Sequence, residues 1–196
     1  MAIEKPVYLN NSSNFHTKME KLKALFFLET LRRWHFEALV EESGLSRERV
    51  HHYLKELMKA KVIRRIKERG KMPYYLANRE APQFRAEKRL YGLRLLAESG
   101  LLAHLASNKS ITTAIIFGSF ARGDWSKSSD IDVFIYGDSR AFEKREYEVK
   151  LGREIQVFSY QDRQQMKELD PQVIPNIVKG ISLTESLEPF TVSIHG

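Results

Sequence analysis

Apolar residues in the first third of the chain recur at helical spacing. Between positions 19 and 34, Leu22, Leu25, Phe26, Leu28 and Trp34 are separated by charges, the pattern of a helix with one buried stripe. Phe36, Leu39 and Val40 open a second, short helix, which Gly44 stops by tolerating the left-handed conformation. Leu45 reads as a core plug in the turn, and Ser46 as the cap of a third helix, Arg47–Lys59. There Val50, Leu54 and Leu57 form an inner stripe with Tyr53 beside it, while Arg49, His52, Lys55 and Lys59 fall toward the other side. Residues 62–66, a basic turn at 67–71 containing Gly70, and residues 73–76 then read as strand, turn, strand. Residues 1–17 are polar and irregular and read as a loose arm.

Residues 78–82 mark a junction. Over 84–105 apolar residues return at helical spacing, interrupted by Gly92 and Gly100; the second glycine ends one helix or bends a longer one. Such a segment packs as the first helix of a second domain or contributes to a dimer contact. The period then shortens. Residues 111–117 are β-branched and apolar, a buried strand, and 130–135 form a second. Helices are expected at 140–150, 160–169 and 173–179, a strand at 153–158, and a short closing element at 181–183 before Glu188-Pro189. His195 has no evident role.

Charge divides the chain in the same place. Residues 1–90 hold 20 Lys and Arg against 11 Glu, a net of +9, whereas residues 91–196 have a net of −2. Two halves of opposite sign imply two jobs, and a basic half attracts a polyanion. No cysteine occurs among the 196 residues, which excludes disulfides, thiolate zinc sites and thiol catalysis and is compatible with a reducing compartment. The start lacks the apolar core of a secretory signal, and no run is long enough to span a bilayer. These features predict a soluble, cytoplasmic protein without a membrane role. His51 and His52 are adjacent and diverge on a helix, so they read as surface residues rather than a zinc site.

Three helices followed by a hairpin resemble the winged helix-turn-helix family. That resemblance implies that the third helix enters the major groove of double-stranded DNA and that the hairpin touches the backbone or minor groove. On this chain Arg49, His52, Lys55 and Lys59 would serve the groove, and Arg65, Lys67, Arg69 and Lys71 the wing. Residues 45–75 carry 10 basic and 3 acidic residues, which favours DNA over a protein partner. Such modules commonly act as two-fold pairs, so a homodimer is a further expectation.

The densest chemistry lies at 118–135. Gly118 permits a tight turn with its N–H open to an anion, and Ser119 offers a hydroxyl. Asp130 and Asp132 sit two apart at the front of a strand, so both carboxylates project together while Ile131 and Val133 face away. Paired like charges call for a cation or a proton, and oxygen ligands suit Mg²⁺ or Mn²⁺. With ten residues between Gly118-Ser119 and Asp130-Ile131-Asp132, and Ala121-Arg122-Gly123 in between, the segment closely resembles the minimal branch of the DNA polymerase β-like nucleotidyltransferase superfamily. The resemblance implies a mixed sheet flanked by helices, a nucleoside triphosphate as substrate or ligand, and metal-assisted transfer of a nucleoside monophosphate to a protein, nucleic-acid or small-molecule hydroxyl. It implies that Gly118 and Ser119 hold phosphates, that Asp130 and Asp132 ligate metal, and that Arg122 helps neutralise phosphate. A toxin-type protein partner is also implied.

The family's third carboxylate aligns with Gln156, which is uncharged and a poor general base. Glu154 points the same way in an extended strand, two residues earlier, and its longer side chain could reach the metals as the third catalytic carboxylate. Two readings therefore stay open. One is a DNA-binding regulator whose second domain binds nucleotide and metal; the other is an active metal-dependent nucleotidyltransferase. The expected class is α+β, with a winged helix-turn-helix at 18–78 and a minimal nucleotidyltransferase-like domain at 84–182.

Overall fold

The structure, a computed structural model, describes residues 17–190. The arm expected at 1–17 lies outside the described residues except for Thr17, and so does His195. The chain separates into two compact units, which divide at Leu90 and Tyr91.

The first unit runs α1 (Lys18–Leu28), α2 (Phe36–Ser43), α3 (Arg47–Lys59), β1 (Ile63–Ile66) and β2 (Tyr74–Ala77), and ends in the first turns of α4 (Pro82–Glu98). Thr17 and Glu20 exchange hydrogen bonds in a capping box that starts α1. The expected extension of α1 to Trp34 does not occur. The helix ends at Leu28, and Trp34 instead forms a β-bridge with Tyr75, exchanging hydrogen bonds of 2.9 and 2.7 Å. Burial of the indole, which reads as helical periodicity in the sequence, is achieved by pairing with the hairpin. Gly44 closes α2 in the left-handed region, and the Ser46 hydroxyl accepts from the Arg49 N–H at the start of α3. Strands β1 and β2 pair antiparallel, with Ile63 opposite Ala77 and Ile66 opposite Tyr74. Leu22, Phe26, Leu39, Val50, Leu54 and Leu57 are almost fully buried and form this unit's core.

In the second unit, α4 is followed by α5 (Leu101–Ser107), β3 (Ile111–Phe117), α6 (Gly118–Arg122), β4 (Ile131–Gly137), α7 (Lys144–Leu151), β5 (Ile155–Tyr160), a 3-10 turn at Gln165–Glu168, α8 (Ile174–Val178) and β6 (Ile181–Ser182). The sheet order is β5-β4-β3-β6; β4 and β5 are parallel and the other neighbours antiparallel. This is a mixed sheet with flanking helices. On one face Ile115, Phe117, Phe134 and Tyr136 pack with Leu169, Ile177, Phe158 and Tyr160. On the other, Ala114, Ile116, Ile131, Val133, Ile135 and Ile155 are buried.

Three sequence expectations change here. No helix covers 160–169: Phe158 and Tyr160 contribute alternate side chains to one sheet face, so β5 continues through Tyr160 and only a 3-10 turn follows. Helix α7 begins at Lys144 rather than Arg140, whose guanidinium is tied to Asp138 and holds that carboxyl at about 2. Gly100 does separate two helices, in the left-handed region, but Gly92 interrupts nothing. It lies inside α4, where a Cβ would come 2.8 Å from Trp125 Nε1 and 3.3 Å from Phe120 Cδ1. Those two rings stack at 5.2 Å between centroids and Trp125 is fully buried, so neither can retreat.

Gly92→Ala should therefore lower the melting temperature. Helix propensity would gain about 1 kcal/mol from the change, but overpacking against fixed rings costs about 1–3 kcal/mol. Thermal unfolding followed by circular dichroism measures the sign.

Candidate nucleotide and metal site

The site is built on a row of three residues at one end of the sheet. Register places Phe117 beside Asp132 across the antiparallel pair and Gln156 beside Asp132 across the parallel pair. The next row on the same face is Ile115, Phe134 and Phe158, part of the aromatic core. Asp132 is therefore the polar end of an apolar face and is half-buried. Burial pushes its carboxyl above the ordinary carboxylate range; the neighbouring Asp130 pushes it the same way, and Arg122 opposes both.

Gly118 follows Phe117 with φ +66. A Cβ there would fall inside the Asp132 carboxylate, so only glycine permits the turn to close over that side chain. Ser119 is the second residue of α6, and its carbonyl accepts from the Gly123 and Asp124 N–H groups. Its hydroxyl makes no hydrogen bond among the described residues. Arg122 is exposed and bonds the Asp124 carboxylate at 3.0 Å, while contributing to the field at Asp132. Gly118, Asp130, Asp132 and Arg122 are thus brought together, with Ser119 next to them in the chain.

Asp130 differs from the expectation in one respect. It precedes β4 rather than belonging to it, at the end of the exposed loop 126–129. The ladder begins at the next residue, where the Ile131 N–H donates to the Glu154 carbonyl at 2.9 Å.

Glu154 is not gathered with the two aspartates. It precedes β5 and lines a cleft with Lys144, Arg145, Glu148 and Arg153, on the α7 side. Among the described residues no three His, Asp or Glu side chains converge to hold a metal. Strand pairing fixes Gln156 in the Asp132 row, whereas Glu154 lies before the first strand residue and joins the ladder through its carbonyl. The chemistry of the donor set still fits one divalent cation at two carboxylate oxygens, with the remaining positions left to water and phosphate.

Residues 101–188 match the family model described as Polymerase beta, Nucleotidyltransferase. The second unit carries a nucleotidyltransferase-like domain. No curated protein and no solved structure matches the chain. The matched segment of the nucleotidyltransferase-like domain contains the Gly118-Ser119 turn, both aspartates and Gln156.

The basic residues named on the first unit are all exposed. Arg49, His52, Lys55 and Lys59 lie three or four apart along α3, opposite its buried stripe. Arg49, Lys55, Lys59, Arg65 and Arg69 have no ion pair among the described residues. Lys67 and Lys71 are engaged within the hairpin: Lys67 donates to the Lys71 carbonyl at 2.8 Å, and Lys71 pairs with Glu68 at 2.5 Å. Sequence reasoning missed Arg153, a buried arginine whose Nη1 donates to three carbonyls more than 20 positions away. No described helix is long and apolar enough to cross a membrane.

The raised Asp132 carboxyl has a consequence for stability. Its folded value exceeds its unfolded one, so the charged form destabilises the fold at neutral pH and the penalty is relieved as pH falls through the folded value. Asp132→Asn should melt higher than the parent at pH 7, by about 2–5 °C. The difference should disappear near pH 3, below the ordinary carboxyl value. Paired melts at the two pH values check the sign.

Proposed function

We propose that this protein is a DNA-binding regulator whose nucleotidyltransferase-like domain binds a nucleoside triphosphate with Mg²⁺ or Mn²⁺. The observation that carries the regulatory half is the stripe of α3 cations without anionic partners, continued by Arg65 and Arg69 on the hairpin. Cations left unpaired on an exposed helix suit phosphates and base edges of a duplex, and release counterions when they bind. The order of three helices and a hairpin supports a winged helix-turn-helix at 18–78.

In the second domain, Asp130 and Asp132 would hold the cation, which would supply positive charge to the triphosphate oxygens. Gly118 leaves room beside Asp132, the free Ser119 hydroxyl can donate to a phosphate, and Arg122 adds positive charge from the exposed side. Gln156 beside Asp132 favours binding over turnover: its amide adds no charge and takes no proton from an attacking hydroxyl. Nucleotide occupancy is proposed to alter duplex affinity. The protein pairs as a dimer on DNA, and a toxin-type partner is a candidate acceptor of its regulation.

Fluorescence anisotropy of labelled duplex across a salt series tests the first half. Binding should weaken with salt, and Lys55→Gln and Arg69→Gln should each lower the logarithmic slope by about 1. Affinity that ignores salt would refute DNA binding. Titration with Mn²⁺ and a triphosphate tests the second half; binding should occur and be lost in Asp130→Asn. Label transferred from the triphosphate to an acceptor, and lost in Asp130→Asn, would instead establish an active transferase.

A further inference from the structure

Arg153 lies between α7 and β5 and is 7% exposed, although its guanidinium is charged at every accessible pH. Its Nη1 donates to the carbonyls of Ser126 at 2.7 Å, Lys127 at 3.0 Å and Ser129 at 2.9 Å. Its guanidinium carbon sits 5.3 Å from the ring centroids of both Phe120 and Trp125. These contacts span the whole connection between the two halves of the site. Phe120 follows Ser119, Trp125 opens the loop, and Ser129 precedes Asp130.

Within the loop, the Ser129 N–H donates to the Ser126 carbonyl at 3.2 Å and the Ser126 N–H to Ser129 Oγ at 2.7 Å; these bonds close the turn on itself, and Arg153 ties it to the rest of the unit. Ser126, Lys127 and Ser128 are exposed, and the Ser126 hydroxyl bonds those of Ser128 and Ser129. Three carbonyl oxygens aimed at one point repel each other and need a shared donor, which the guanidinium provides. Asp132 is fixed independently by strand pairing on both sides, whereas Asp130 stands outside the strand at the end of this loop. The separation of the two carboxylates thus depends on where the loop delivers Asp130.

We infer that Arg153 is a positioning residue for the cation site: it gathers the carbonyls of Ser126, Lys127 and Ser129 and so sets Asp130 against Asp132. The inference rests on the cation-binding reading given above. It assigns a task to a side chain that need not touch the ligand.

The test uses the full chain and Mn²⁺ alone, with binding read from the loss of the free-ion electron paramagnetic resonance signal. Parent, Asp130→Asn, Arg153→Met and Ile116→Val are compared well below their melting temperatures. Ile116→Val loosens the core of the same sheet without touching the loop. Arg153→Met should weaken Mn²⁺ binding about ten-fold, and Ile116→Val should leave it unchanged. Arg153→Met should also speed tryptic cleavage after Lys127 about ten-fold, a reading that needs no ion. If Arg153→Met binds Mn²⁺ as the parent does while Asp130→Asn does not, Arg153 has no positioning role and the cation site stands. Equal weakening by Ile116→Val would mean general loosening and overturn the inference. Unchanged cleavage after Lys127 would overturn it too. If the parent itself binds no Mn²⁺, the cation reading falls and this inference with it.

Discussion

The second unit is organised around one carboxylate held where a carboxylate is unwelcome. Asp132 ends an apolar sheet face, between Phe117 and Gln156 in its own row and above Phe134 in the next. Strand pairing on both sides prevents it from turning away, and Gly118 closes over it. Burial and the neighbouring Asp130 both disfavour its charge. A fold governed by stability alone would place an apolar residue there. That cost is a physical ground for the cation-binding reading proposed above, in which a positive ion would offset it.

Much of this was legible in the sequence because local rules and tertiary packing agree. Helix α3 has its cap at Ser46, the stop of the preceding helix at Gly44, and a period that separates Leu54 from Lys55; the folded helix keeps the expected bounds. Strand β3 was equally readable, since seven apolar or β-branched residues end at a glycine. The Asp-x-Asp spacing predicted two carboxylates near each other, and Asp130 does lie close enough to perturb Asp132.

What could not be read is long-range. Trp34 fits a helical stripe and yet pairs with Tyr75, because the bridge depends on a hairpin some 40 positions later. Phe158 and Tyr160 carry no signal of how far a strand extends until the opposite layer is known. Arg153 looks like one more surface charge; its burial follows from carbonyls and rings contributed by a distant loop. Glu154 shows the converse case. It lies one residue before the strand and lines the cleft beside α7.

The hairpin tip of the first unit has a consequence of its own. Glu68 accepts both from Lys71 Nζ and from Tyr74 Oη, and these bonds lower its carboxyl below the usual range. The acid thus stays anionic and is occupied within the tip, while Gly70 turns the chain at its apex. A loop already tied down surrenders less conformational freedom when it docks. Under the DNA-binding reading proposed above, it would meet the duplex as a preformed prong with Arg69 leading, so contact there would be closer to insertion than to wrapping.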